Sequence, residues 1–286
     1  MRRATTYLTA VFAVLLVLSS GSVQAALIVD FDTPSTPYTI TQHGSVPGPE
    51  PTAGGPTGTY LRLTNDRDSQ QNTLAFDEVP GFTGPQPGGI EMQFDYRMSE
   101  EATHTGCCGQ RADGFGVALM ATALYGSTGS GPATVPWERP AYAAAFSVGL
   151  DIFESPDFDS DVVTLNWDGV QIADFATTGM HLNTGAFNRV NITVIPDGTN
   201  AKVSMTIVED IFGSPGAPLT IFSDAVIPGM DMYNLPSFRA VLGGRTGGAF
   251  VAADIDNINF QSIPEPMTIA LFGLGGVALL RRRRQT

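Results

Sequence analysis

The sequence predicts an all-β domain, a sandwich or barrel of short strands. Three observations carry this. No stretch between Ala26 and Ile263 sustains a helical period. About a dozen short runs rich in β-branched, aromatic and aliphatic residues recur along it. Clusters of Gly, Pro, Asn and Asp separate those runs, as turns between short strands require.

Taken in order, Leu27 to Phe31 opens the domain with an apolar run. Pro34 to Thr59, rich in Pro, Gly and Thr, is expected to be a long surface loop. Leu61 to Leu63 and Thr73 to Phe76 are short strands. Ile90, Met92, Phe94 and Tyr96 alternate with polar neighbours, the pattern of a strand with one buried face. Gly114 to Met120 is apolar throughout and reads as a buried strand. Tyr125 to Pro140 is a second Gly/Pro loop. The remaining strands are Ala143 to Phe153, Val162 to Trp167, Val190 to Ile195, Val203 to Val208, Leu219 to Phe222, Arg239 to Gly243 and Ile255 to Phe260. Asp168-Gly169 and Asp197-Gly198 supply turn chemistry. No internal repeat or domain boundary interrupts the series.

Both ends differ from this middle. Arg2 and Arg3 precede an apolar run from Tyr7 to Leu18, and Ser19 to Ala25 is small and polar. That is the order of an export signal peptide, with cleavage expected after Ala25. The expected divisions are therefore residues 1–25, a β domain over 26–262, and a tail over 263–286. In the tail, Pro264, Glu265 and Pro266 precede an apolar stretch from Met267 to Leu280, and Arg281 to Arg284 follow. A helix over that stretch would reach about 21 Å against a hydrocarbon core of roughly 30 Å, a short transmembrane segment that the arginines can complete by snorkelling. The arginines would stay cytoplasmic and leave the β domain outside.

This order of Pro-Glu-Pro, short apolar stretch and terminal arginine cluster resembles the PEP-CTERM sorting signal read by exosortases. The resemblance implies a Gram-negative producer of exopolysaccharide, transient anchoring in the inner membrane, cutting near Pro264 to Pro266 by an exosortase-type enzyme, and release to the cell surface or extracellular matrix. A simple anchor that is never cut is the alternative.

Between the ends, nine basic side chains face 27 acidic ones, a net charge of −18. Such a surface repels nucleic acid and anionic lipid, which excludes nucleic acid as a partner of the β domain. Lys202 is the only lysine. The two cysteines, Cys107 and Cys108, are adjacent and cannot staple distant segments. A vicinal disulfide, an intermolecular bridge and free thiols remain open.

The order of motifs in the middle is also informative. Ala112-Asp113-Gly114-Phe115 leads into a strand, Phe146 to Phe153 (FSVGLDIF) follows, then Trp167-Asp168-Gly169, a strand pair over Phe187 to Val208, Leu242 to Gly248 (LGGRTGG), and a last strand ending at Phe260. This succession resembles the L-type lectin and concanavalin-like glucanase superfamily, and implies a jelly-roll sandwich. The resemblance places Asp113, with Gly114, in a sugar-contacting loop, where a carboxylate accepts hydrogen bonds from vicinal hydroxyls; the other reading is a turn cap. Arg245 in the glycine-rich loop either contacts the sugar or pairs with an acid. The lectin metal strand carries Glu-x-Asp, and here Gly149-Leu150-Asp151 lacks the glutamate. Asp151, Ser155, Asp157 and Asp159, with Glu154 and Asp161 beside them, are candidate Ca2+ ligands, a density of oxygen donors that suits that ion; a solvated acidic loop is the alternative. The glucanase strand Glu-x-Asp-x-x-Glu has Gly149 at its first position, so the nucleophile of a retaining hydrolase is missing. His43, His104 and His181 are isolated, and no other catalytic motif appears. The reading is a non-catalytic carbohydrate, or exopolysaccharide, binder; the alternatives are a structural surface protein without ligand and a hydrolase of the same superfamily.

Overall fold

The computed structural model describes residues 26–33, 36–45, 47–78, 84–99, 111, 113–132, 136–153, 161–177 and 181–264. Ala25, Cys107, Cys108, Ser155, Asp157, Asp159, Glu265, Pro266 and the apolar stretch 267–280 lie outside the described residues. No helix among the described residues is long and apolar enough to cross a membrane.

Among the described residues, fifteen strands form two antiparallel sheets. The larger runs β13 (Leu219–Ile227), β12 (Asn200–Val208), β11 (Asn188–Asp197), β6 (Ile90–Ser99), β15 (Ala252–Ser262), β4 (Thr59–Thr64) and β3 (Glu50–Ala53), with β1 (Ala26–Val29) also paired to β15. The smaller runs β10 (Val170–Ala176), β9 (Val162–Trp167), β8 (Ala145–Asp151), β7 (Gly114–Ala121), β14 (Phe238–Thr246), β5 (Gln70–Phe76) and β2 (Tyr38–Thr41).

The alternation along β6 turns Ile90, Met92, Phe94, Tyr96 and Met98 inward, where they join Val190, Ile192 and Val194 of β11 and Phe115, Val117 and Leu119 of β7 in one core. Phe94 of β6 meets Phe115 of β7 edge to face, 6.0 Å between ring centroids, so the two sheets interdigitate directly. On the far side of the larger sheet, buried Asp95 and Asp254 are held by Arg189 and by Arg62 with Arg97. The Arg97 guanidinium also lies over the rings of Tyr60 and Phe187, which meet each other edge to face.

The stretch Pro34 to Thr59, expected to be a loop, contains β2 and β3. Both lie at sheet edges, as does β10, which the strand pattern also missed. An edge strand needs no apolar alternation and tolerates a proline such as Pro51, so neither signal marks it in the sequence.

The smaller sheet explains why β7 and β8 read as continuously apolar or small. Every residue of both strands is buried, because their outer face is also covered. The cover includes residues 136–140, a strap laid across the sheet. Gly149 pairs with Gly116, and Gly116 with Gly243, so three glycines stand in register on neighbouring strands. Thr164 and Thr73 flank this row. A Cβ on Gly243 would lie 2.0 Å from the Trp137 ring, one on Gly116 2.3 Å from the Trp137 carbonyl oxygen, and one on Gly149 2.1 Å from the Glu138 carbonyl oxygen. Trp137 is fully buried in this trough and packs with Tyr142 and Met120. The Ser147 hydroxyl donates to the Pro140 carbonyl and ties down the strap's far end.

Gly149→Ala should therefore lift the strap and destabilise the domain by about 1–3 kcal/mol, the usual cost of overpacking a filled site. A urea midpoint unchanged from wild type would show that the strap does not rest on this glycine.

Candidate functional site

Two residues beyond the glycine row, the same face of the smaller sheet carries a second row. Asp151 pairs with Gly114, Gly114 with Arg245, and Arg245 with Gln71. The period of two along a strand puts these residues on the strap side. The strap passes over the first row and delivers Glu138 and Arg139 to the second. Gly114 is needed here: its φ is 137°, and a Cβ there would sit 2.0 Å from the Leu150 carbonyl oxygen of the neighbouring β8 and 3.2 Å from the Glu138 Cβ of the strap.

The result is a cavity of about 420 Å3 bordered by Asp113, Glu138, Arg139, Asp151, Phe153 and Arg245, with the loop from Gly247 to Ala249 as its rim. Arg245 donates from Nη1 to Glu138 Oε1 at 2.5 Å and places Nε 3.4 Å from Asp113 Oδ2. Asp113 is fixed through its backbone. Its N–H donates to the Arg245 carbonyl, and its carbonyl accepts from the Ile152 N–H at 3.0 Å. Of the two readings left open for Arg245, pairing with acids is the one the geometry displays, although the side chain still borders the cavity.

Two acceptors are left over. Asp113 Oδ2 and Glu138 Oε2 are buried and accept no hydrogen bond, on residues 7% and 6% exposed. A buried carboxylate oxygen without a donor is costly, so a group that donates to it gains from the encounter. Burial raises the Asp113 pKa; Arg245 opposes that shift and Asp151 adds to it. Burial likewise raises Glu138 to about 7, outweighing its backbone hydrogen bond and Arg245. Phe153, 43% exposed, adds an aromatic face at the cavity wall.

Asp151 meets the candidate metal role differently. Its Oδ2 accepts from Arg139 Nε, and its Oδ1 accepts from the Phe153 N–H at 2.9 Å. The guanidinium already compensates the carboxylate that a cation would need. Among the described residues, no group of three or more His, Cys, Asp or Glu side chains is placed to hold a metal ion. Asp161, the other described acid of that loop, accepts the Leu182 N–H at 2.6 Å and the Thr177 N–H through its carbonyl. The described part of the loop thus does not fit Ca2+, and no binding step is assigned to it. Ser155, Asp157 and Asp159 fall outside the described residues.

Glu138, Arg139 and Phe153 were not legible as site residues. Glu138 and Arg139 sit in what reads as a Gly/Pro loop. The available signal was Trp137-Glu138-Arg139 itself, one aromatic and two charges in an otherwise small and apolar segment.

The fold is that of lectin-type sandwiches. The exoplasmic/lumenal domain of VIP36 in its Ca2+-bound form superposes with a TM-score of 0.52 at 10% identity, over 84% of this chain and 90% of that one. A lectin from Bauhinia forficata in complex with GalNAc gives 0.51 at 11% identity, over 83% and 97%. The VIP36 domain in its Ca2+/Man2-bound form gives 0.50 at 11%, over 85% and 90%. At these identities the likeness establishes the fold alone. Residues 262–284 match the PEP-CTERM protein-sorting motif. No curated protein matches the chain. The molecule therefore joins a lectin-like sandwich to a C-terminal sorting motif.

Glu138 supplies a pH signature. Its folded pKa of about 7 exceeds the ordinary 4.5, so between these values the folded state binds the extra proton and stability falls as pH rises. Between pH 5 and 8 the wild type should lose up to about 3 kcal/mol relative to Glu138→Gln, read from denaturant midpoints. Parallel pH profiles for the two proteins would remove the buried charge from the site.

Proposed function

We propose that this chain is an exported surface protein whose sandwich binds carbohydrate, without cutting it, in the cavity between Asp113, Glu138, Arg245 and Phe153. The observation that carries the reading is a pair of buried carboxylate oxygens that accept no hydrogen bond, Asp113 Oδ2 and Glu138 Oε2, on residues that border one cavity. Sugar hydroxyls are suitable donors, and charge assistance strengthens the bonds. Arg139 and Arg245 offer donors to ring and hydroxyl oxygens, and Phe153 offers a stacking face. The fold neighbours include sugar-bound lectins, which supports this reading. In this reading Gly114 contributes backbone only.

A binder is favoured over a hydrolase on two grounds. Gly149, where the glucanase strand would hold its nucleophile, is the seat of the strap. The carboxylates that do reach the cavity are bound by arginines: Asp113 and Glu138 share Arg245, and Asp151 holds Arg139. A purely structural protein has no use for two unsatisfied acceptors at a cavity. Calcium stays a proposal for Ser155, Asp157 and Asp159 alone, since Arg139 already holds Asp151; the Ca2+-bound form of a fold neighbour supports it.

Export rests on the sorting motif together with the signal-like N-terminus. In this reading the chain is cut after Ala25, held briefly in the inner membrane of a Gram-negative cell by residues 267–280, and processed near Pro264 to Pro266 by an exosortase-type enzyme. Its polysaccharide partner then lies in the surface matrix.

On a glycan array, the purified protein should retain intact sugars, with or without chelator. Asp113→Ala should weaken that binding at least about tenfold, the loss of one charge-assisted hydrogen bond. No retained glycan, or an unchanged Asp113→Ala, would sink the binding site; cleaved glycans would restore the hydrolase, and loss in chelator would return calcium to the site.

Intact-mass spectrometry on material from the native host tests the sorting half. The expected mass lacks residues 1–25 and the tail from the Pro264 region onward. A mass that keeps residues 267–284 leaves a permanent anchor instead.

A further inference from the structure

The row that floors the cavity does not stop at Arg245. On β5 the next partner is Gln71. Beyond it, Thr73 pairs with Thr41 at the end of β2, and two residues further His43 accepts the Gln71 N–H through its carbonyl at 2.9 Å. Asp151, Gly114, Arg245, Gln71 and His43 thus follow one another across the same end of the sheet. Four inter-strand steps of roughly 4.8 Å give this line a length of about 19 Å.

A second cavity, of about 340 Å3, lies over its far half, bordered by His43, Ser69, Gln71 and Thr246. Both cavities have the size of small-ligand sites, about 300–1,000 Å3. They share Arg245, Gly247 and Gly248 as a common wall. Gly247 spans the division: a Cβ on it would stand 3.3 Å from Asp113 Oδ2, and its carbonyl accepts the Ser69 N–H at 3.0 Å. With no side chain on either glycine, the ridge between the cavities stays low. Larger residues at both positions would close the passage. The imidazole of His43, the hydroxyl of Ser69 and the amide of Gln71 offer both donors and acceptors, the chemistry of another sugar unit rather than of an apolar or anionic group.

We propose that His43, Ser69 and Gln71 form a second sugar subsite, joined to the first over the Gly247-Gly248 ridge, so that the protein recognises consecutive units of a polysaccharide rather than one terminal residue. This rests on the carbohydrate reading of the first cavity and deepens it. Ligand chains then gain contacts with length until the line from Asp151 to His43 is filled.

The test titrates the purified full chain with glucose, mannose and N-acetylglucosamine and with their linear oligosaccharides of two to five units, by calorimetry. In the series that binds, three units should bind at least tenfold more tightly than one. The His43→Ala/Gln71→Ala double variant should reduce three units to the affinity of one and leave the single unit unchanged. Gly248→Trp, which raises the ridge on an exposed residue shared by both cavities, should likewise abolish the gain from one unit to three. Equal affinity for one and three units, or a length gain that survives both variants, overturns the second subsite and leaves the first intact. Binding in none of the series overturns both.

Discussion

The structure depends on one packing constraint: a strap whose backbone lies against a row of residues without side chains. Gly149, Gly116 and Gly243 sit in register on three adjacent strands, and each would clash with the strap if it carried a Cβ. Glycine in a strand interior normally weakens it and often marks close backbone approach. Here the approach is what places the charged groups at the cavity. Trp137 fills the trough, and the two following residues, Glu138 and Arg139, are carried to the edge where the strand ends expose Asp151 and Arg245. Without the glycine row the cavity would lose one wall and one of its two free acceptors.

Charge follows the same logic. The domain has few cations, and five arginines are committed to buried carboxylates. Arg62, Arg97 and Arg189 hold Asp254 and Asp95 on the larger sheet; Arg139 and Arg245 hold Asp151, Asp113 and Glu138 at the cavity. A buried carboxylate without a partner would cost several kcal/mol, so the pairing permits the acids rather than adding net stability. The difference between the two groups is saturation. On the larger sheet Asp95 accepts from Arg189 through both oxygens and also from Asn257. At the cavity one arginine serves two carboxylates, and an oxygen of each stays without a donor. That imbalance separates the ion pairs at the cavity from those on the larger sheet.

The interior strands were legible in the sequence, and the edges were not. β6 shows its buried face by strict alternation, and β7 and β8 show double burial by its absence. β2, β3 and β10 carry neither sign, because an edge strand with one wet face is defined by its neighbour's hydrogen bonds. The same limit governed the site. Asp113, Gly114, Asp151 and Arg245 could be picked out from local motifs, and three of them align across the sheet. Gly149 was visible as a departure from a catalytic pattern, but its reason is a contact with residue 138. Glu138 itself belongs to the site through a register that spans three strands, which local sequence does not encode. His43, isolated in the sequence, joins the line for the same reason.

Chain direction relates this site to the sorting tail. The loop from Gly247 to Ala249 rims the first cavity and leads into β15 at Ala252. β15 then runs to Ser262, about 34 Å away at 3.4 Å per residue, where the matched sorting motif begins. Ala26 pairs with Gln261, so the opening of the domain lies at that same far end. Both segments that connect the sandwich to the ends of the chain therefore leave from the edge remote from Asp113 and Arg245. The cavities therefore lie at the opposite end of β15, the longest strand of the larger sheet, from the start of the matched sorting motif.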